Sequence, residues 1–227
     1  MDLTKKYIRV NQQTYDTLHN EYNSRAYNKS SCEEKLDILG GSVLKYAKIF
    51  FEDINALEIG PGSGEILSYF EQHGCRTIAV ELSPKMAEIA ETRSPYTVFI
   101  LGDILETEFA NDQFEVIYAG AVIHLFPRDD AIELLTKMYK WLKPNGLLFV
   151  NTTIHSSSEE SYQTKYDYKI PIKRFRKKWT EEEFSNVIKS CGFEVVKRLF
   201  TDEKDRGKKW VAFIVQKRKL HHESKSQ

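Results

Sequence analysis

Two periods alternate along the chain, and each change of period marks an element. Ala56, Leu57 and Ile59 form a short apolar run that ends in Gly60, Gly62 and Gly64 on every second residue. Ile66, Leu67 and Phe70 then recur at helical spacing. The pattern predicts a buried strand, a tight glycine turn, and a helix running to about His73 and closed by Gly74. Strands are likewise expected over 75–80, 98–101, 114–120 and from Leu147 to about Thr152. Between them, Ser83 and Pro84 open a helix with Met86, Ala87 and Ala90 inward, and Asp129 opens one with Ile132, Leu135, Met138 and Leu142 on a stripe.

The flanks follow the same logic. Asn11 to Tyr27 predicts a helix with Tyr15, Leu18 and Tyr22 on one face and Arg25 a turn further on. Residues 31–51 open with a capping box, Ser31 and Glu34, and carry Leu36, Leu39, Val43, Ala47 and Phe50 at helical intervals, with a kink or break expected at Gly40 and Gly41. Thr180 and Glu183 cap another helix, with Phe184, Val187, Ile188 and Cys191 inward and Gly192 closing it. Two last strands, 193–200 and 209–216, are joined by a charged turn and should pair antiparallel. Strands alternating with helices predict an α/β class, a doubly wound and mostly parallel sheet. Residues 155–179 break the pattern: a polar run, then Tyr162, Tyr166 and Tyr168, then KRFRKK at 173–178. A solvated surface loop is the expectation there, although basic residues between aromatics could hold an anionic or nucleic-acid substrate.

Composition narrows the class. A chain of 227 residues suits one domain. Lysine and arginine total 33, as do aspartate and glutamate, so no global field draws the chain to nucleic acid or membrane. Three scattered cysteines form neither a disulfide framework nor a zinc site. No apolar run approaches the ~20 residues of a membrane span, and MDLTKKYIRV lacks the core of a signal peptide. A cytoplasmic protein is expected.

The glycine turn carries the chemistry. A dinucleotide fingerprint needs a small residue three after its second glycine, where this chain has Glu65 or Leu67. With Glu58 and Glu65 beside it, the turn suits a cationic, phosphate-free ligand. Glu81 ends the second strand at about the 20-residue interval where such sheets present a ribose-binding acid, and its two oxygens can accept both hydroxyls. Asp103 follows the third strand, and His124 stands in the apolar stretch after the fourth. Taken alone, a histidine there is more often a hydrogen-bonded core residue.

The pattern E-x-G-x-G-x-G over 58–64 resembles motif I of the class I S-adenosylmethionine-dependent methyltransferases, and WLKPNGLLFV over 141–150 resembles another of their segments. The resemblance implies a seven-stranded Rossmann-like sheet with an antiparallel last strand and S-adenosylmethionine as cofactor. It implies that Gly60, Pro61, Gly62 and Gly64 cradle the cofactor, that Glu58 supports its ammonium, and that Glu81 and Leu82 take the ribose. Asp103 and Ile104 would take the adenine, with Ala119 beside the methyl donor. Y-D-x5-Y followed by Arg25 looks like the family's lid helix, so that Tyr15, Tyr22 and Arg25 would close over the cofactor, with Arg25 on its carboxylate; His19 stands where those relatives carry a small residue. His124 becomes a candidate base or substrate-orienting group, and His155 and Tyr168 candidate substrate contacts.

Residues 1–30 are expected to be the lid, 31–217 the methyltransferase domain with a substrate-selecting insertion at 155–179, and 218–227 a disordered tail. No carboxylate follows the fourth strand, so no metal is expected. A small-molecule metabolite is the expected acceptor, methylated on O or N. The alternatives are RNA or a tRNA base, or a non-catalytic cofactor-binding partner subunit.

Overall fold

A computed structural model describes residues 6–30, 36–166, 168–204 and 207–218. The capping box at Ser31 and Glu34, Cys32 and all but the first residue of the expected tail lie outside them. Helix α1, Lys6–Ser30, starts five residues before the expected helix and ends three beyond it. Its buried positions, Tyr7, Ile8, Asn11, Thr14 and Leu18, form one helical stripe in which polar residues replace some apolar ones. A π-helical turn, Asp37–Gly41, stands where the paired glycines predict a kink and leads into α2, Ser42–Ala47. Phe50 lies beyond that helix and is exposed, not on its buried stripe.

The alternating units then follow: β1 Asn55–Ile59, α3 Glu65–Gln72, β2 Arg76–Glu81, α4 Pro84–Arg93, β3 Val98–Leu101 and β4 Phe114–Ala119. After β4 come a single 3-10 turn, Ile123–Leu125, then α5 Arg128–Trp141 and β5 Leu142–Ile154. β6 Glu159–Lys165, β7 Ile172–Lys178, α6 Glu181–Ser190, β8 Glu194–Glu203 and β9 Lys208–Gln216 complete the set. β5 takes in the Pro-Asn-Gly turn, where Asn145 is left-handed at φ 68°. Both expected caps are made: Ser83 Oγ accepts from Met86 N at 3.1 Å, and Thr180 Oγ1 from Glu183 N at 3.1 Å.

Seven strands form one sheet in the order β3-β2-β1-β4-β5-β9-β8. Only β9 runs antiparallel, between β5 and β8. Helices cover both faces, so successive residues of the central strands enter different cores. Leu57, Ile117, Ala119, Leu148, Val150 and Phe213 meet α5 and α6 on one side. Ala56, Val116, Tyr118, Phe149 and Ile214 meet α2 and α3 on the other. Tyr118 and Phe149 stack there with centroids 4.4 Å apart. Among the described residues, no helix is long and apolar enough to cross a membrane.

One sequence expectation is overturned. Residues 159–178 hold an antiparallel hairpin, β6 with β7, instead of a solvated loop. KRFRKK is strand β7 itself, and Arg174, Phe175, Arg176 and Lys177 are buried in it. Phe175 packs on Tyr7 and Tyr162, while Lys177 reaches Glu183 at 3.0 Å, so a run of charge is absorbed by a two-sided strand.

Removing the Phe149 ring leaves a cavity between Tyr118 and α2, because Phe149 is fully buried. Phe149→Ala is expected to lower stability by ~3–5 kcal/mol, read from urea denaturation.

Candidate active site

The sheet order reverses between β1 and β4, and the carboxyl ends of those strands open the crevice in which such folds bind ligands. The chain leaves β1 through left-handed glycines, Gly60 at φ 64°, Gly62 at 61° and Gly64 at 81°. A Cβ on Gly64 would lie 3.0 Å from Ala90 Cα, so the turn packs directly on α4. A Cβ on Gly62 would lie 3.4 Å from the Tyr22 ring, so α1 roofs the same turn.

The resulting cleft encloses about 780 Å³, counting its open mouth. Gly60, Gly62, Glu81, Leu82, Asp103 and Ile104 line its floor, with Gly120 to Val122 after β4. Tyr7, Asn11, Tyr15 and Tyr22 of α1 line its roof. Pattern reading missed Tyr7, Asn11, Ala121 and Val122. The first two carry a signal in hindsight, since Tyr7, Asn11 and Tyr15 fall four residues apart and Tyr22 seven further on.

Other expected site residues stand off the cleft. Arg25 donates to Glu21 at 2.6 Å and lies 4.0 Å over the Tyr168 ring, which also carries Lys165 at 4.0 Å. His155 Nε2 meets Thr153 Oγ1 at 3.0 Å. Ala119, Pro61 and Gly64 support the walls without lining them. His124 occupies the far side of the 3-10 turn, with Nδ1 3.4 Å from Thr152 Oγ1 and its ring 6.0 Å from that of Trp210. Burial, followed by Arg176 and Arg174, holds its pKa well below the usual histidine range, so the imidazole is neutral.

Two buried carboxylates mark the floor. Glu81 Oε1 accepts from Ser83 N at 2.8 Å, and the amides of Gly62 and Leu82 also donate to this carboxylate. Burial outweighs those bonds and pushes its pKa up to about 7. Glu58 is buried beneath the turn, and its Oε2 has no hydrogen-bond partner. Burial, then the charges of Glu65 and Glu81, hold its pKa well above the carboxylate range. An orphaned carboxylate oxygen, a glycine cradle and a second acid at the β2 end together fit S-adenosylmethionine, whose ammonium and ribose diol supply donors without a phosphate.

A model of the methyltransferase domain matches residues 33–198. The chain belongs to the methyltransferase-domain family. The family and the acid-lined cleft together fit S-adenosylmethionine as cofactor. Phosphoethanolamine N-methyltransferase of Plasmodium falciparum is 27% identical over 181 residues, covering 78% of this chain and 65% of that one. A malonyl-[acyl-carrier protein] O-methyltransferase of Enterobacter lignolyticus is 26% identical over 107 residues, 47% of this chain and 42% of that one. The chain thus spans less than two thirds of the length of these curated relatives. The Burkholderia thailandensis 1,6-didemethyltoxoflavin-N1-methyltransferase, solved with its substrate and S-adenosylhomocysteine, superposes with a TM-score of 0.73 at 17% identity, over 96% of this chain and 92% of that one. The [4+2]-cyclase SpnF superposes at 0.69 and 13% identity, over 91% and 95%. These superpositions establish the fold.

The two buried acids give the protein a pH signature. Between pH 4.5 and about 7 the unfolded chain ionises Glu81 while the folded chain keeps it protonated, so stability falls as pH rises through that window and levels off above it. Glu58 slopes the same way. Glu81→Gln is expected to remove on the order of 3 kcal/mol of this decline, read from urea denaturation at a series of pH values.

Proposed function

We propose that this methyltransferase moves the cofactor's methyl group to a nitrogen or oxygen of a small-molecule metabolite. The roof of the cleft carries the proposal: α1 lays three tyrosines and an asparagine over the glycine turn and leaves an enclosed space suited to a small acceptor. When bound, S-adenosylmethionine supplies an activated methyl on a sulfonium, so the protein's share is alignment and exclusion of water. Gly60 and Gly62 let the main chain approach, Glu81 accepts from the ribose, Asp103 and Ile104 take the adenine, and Glu58 answers the ammonium from beneath.

Helix α1 acts as the lid. Asp16 accepts from Ser83 Oγ at 2.5 Å, Gln12 donates to the Leu82 carbonyl at 3.0 Å, and Tyr7 bonds Asp130. These bonds tie the lid to the ends of β2 and α5. His124 acts on the acceptor side indirectly, by holding the Ile123–Leu125 turn whose neighbours Val122 and Leu125 line the cleft. Malonyl-[acyl-carrier protein] and phosphoethanolamine are the acceptors named for two relatives, and both names fit transfer to O or N. A polynucleotide acceptor loses its main support, because Arg174, Arg176 and Lys177 of the basic segment are buried.

Calorimetric titration with S-adenosylmethionine, S-adenosylhomocysteine and NADH tests the reading. Both sulfur nucleotides are expected to bind, and Glu81→Ala to weaken them by about 100-fold through loss of two charge-assisted hydrogen bonds. Binding of NADH alone would overturn it.

A further inference from the structure

We propose that Arg174, with Arg176 and Trp210 nearby, forms a subsite for an anionic group of the methyl acceptor, beside the cleft and behind Tyr15. The subsite rests on the methyltransferase reading only in calling its ligand the acceptor.

The observation that carries it is a charge without a counter-ion. Arg174 is 8% exposed, and its Nε is buried with no acceptor. Among the described residues its guanidinium makes one hydrogen bond, from an Nη to the Tyr15 hydroxyl at 3.3 Å. Among the described residues it forms no ion pair, unlike buried Lys177 on the same strand, which has Glu183. A buried guanidinium answered only by a phenol is strongly unfavourable unless something else completes it. An anion does so in two ways, by charge and by accepting at Nε and an Nη together.

The surroundings favour the same class of ligand. Arg174 and Arg176 are two apart on β7 and share a face, while Phe175 between them enters the core. Arg176 donates to Thr153 Oγ1 at 2.5 Å, which places that face against the end of β5. Trp210 of β9 presents a second buried donor, Nε1, that lacks an acceptor. The leading charges on His124 are Arg176, Arg174, Lys165 and Lys208, all positive, so its surroundings carry a positive field. Donors outnumber acceptors here, and carboxylates and phosphates are the groups with acceptors only. A cationic acceptor would be repelled, and a neutral one would leave Arg174 unanswered.

The position relative to the cleft follows from Tyr15, which lines the cleft and accepts a hydrogen bond from Arg174 with its hydroxyl. An acceptor anchored at Arg174 would extend past Tyr15 to bring its nucleophilic atom into the cleft. Anchoring at one end restricts the other, which is how a remote charge aligns a reacting atom.

The test titrates inorganic phosphate, and separately acetate, into the protein saturated with S-adenosylhomocysteine and into the protein alone. At least one anion is expected to bind, and Arg174→Gln to weaken it ~10-fold or more while S-adenosylhomocysteine affinity stays unchanged. Tighter phosphate binding marks a phosphoryl acceptor, and tighter acetate binding a carboxylate. A wild type that binds S-adenosylhomocysteine but neither anion overturns the proposal, as does folded Arg174→Gln binding both anions as well as the wild type. Anion binding without any S-adenosylhomocysteine binding would sink the methyltransferase reading and leave the subsite standing. Should Arg174→Gln not fold, Trp210→Phe removes only the Nε1 donor and is expected to weaken the anion ~5-fold; an unchanged affinity counts against the subsite.

Discussion

One desolvated carboxylate, Glu81, holds the ligand-binding end of this molecule together. It receives the amides of Gly62, Leu82 and Ser83, so the glycine turn after β1 and the end of β2 share an acceptor. Ser83 then caps α4 and binds Asp16 of the lid. Four elements are thus fixed through two side chains two residues apart. The arrangement is costly to bury, and the raised pKa records that cost. It is the kind of local expense found where a binding surface has been prepared in advance.

The second organising contact lies between α1 and β7. Asn11 accepts from Phe175 N at 2.9 Å and donates to the Leu125 carbonyl at 3.0 Å, while Thr14 donates to the Lys173 carbonyl at 2.7 Å. The roof of the cleft, the hairpin and the turn holding His124 are therefore one hydrogen-bonded unit. A shift of the hairpin moves α1, so on the function proposed above the choice of acceptor and the covering of the cofactor would be coupled.

Most of the sheet was legible because both of its faces are dry. Strands such as β4 and β9 read as apolar runs, and the glycines, caps and acids at their ends fall where turns and helix starts require them. The cleft floor was legible for the same reason. The hairpin was not, since alternation of Lys and Arg with Phe looks like solvated charge unless Glu183, Tyr15 and Thr153 are known to meet it. The first turns of α1 were hidden because its buried stripe uses Asn11 and Thr14 for hydrogen bonds, which a hydrophobic period cannot register. His124 stands away from the cleft because its side of the turn is set by packing against β5 and β9, which no spacing in the sequence registers.

The place of β9 has a consequence for how the molecule comes into being. It is last of the seven strands in the chain, yet it sits inside the sheet, flanked by β5 and β8. A chain emerging from the ribosome presents β5 with an open edge and β8 with no neighbour until Lys208–Gln216 appears. The parallel half can pair early, whereas the antiparallel half closes in one late step. That interval leaves the apolar edge of β5 exposed, and it is where a chaperone or a misfolded pairing would compete with the native strand.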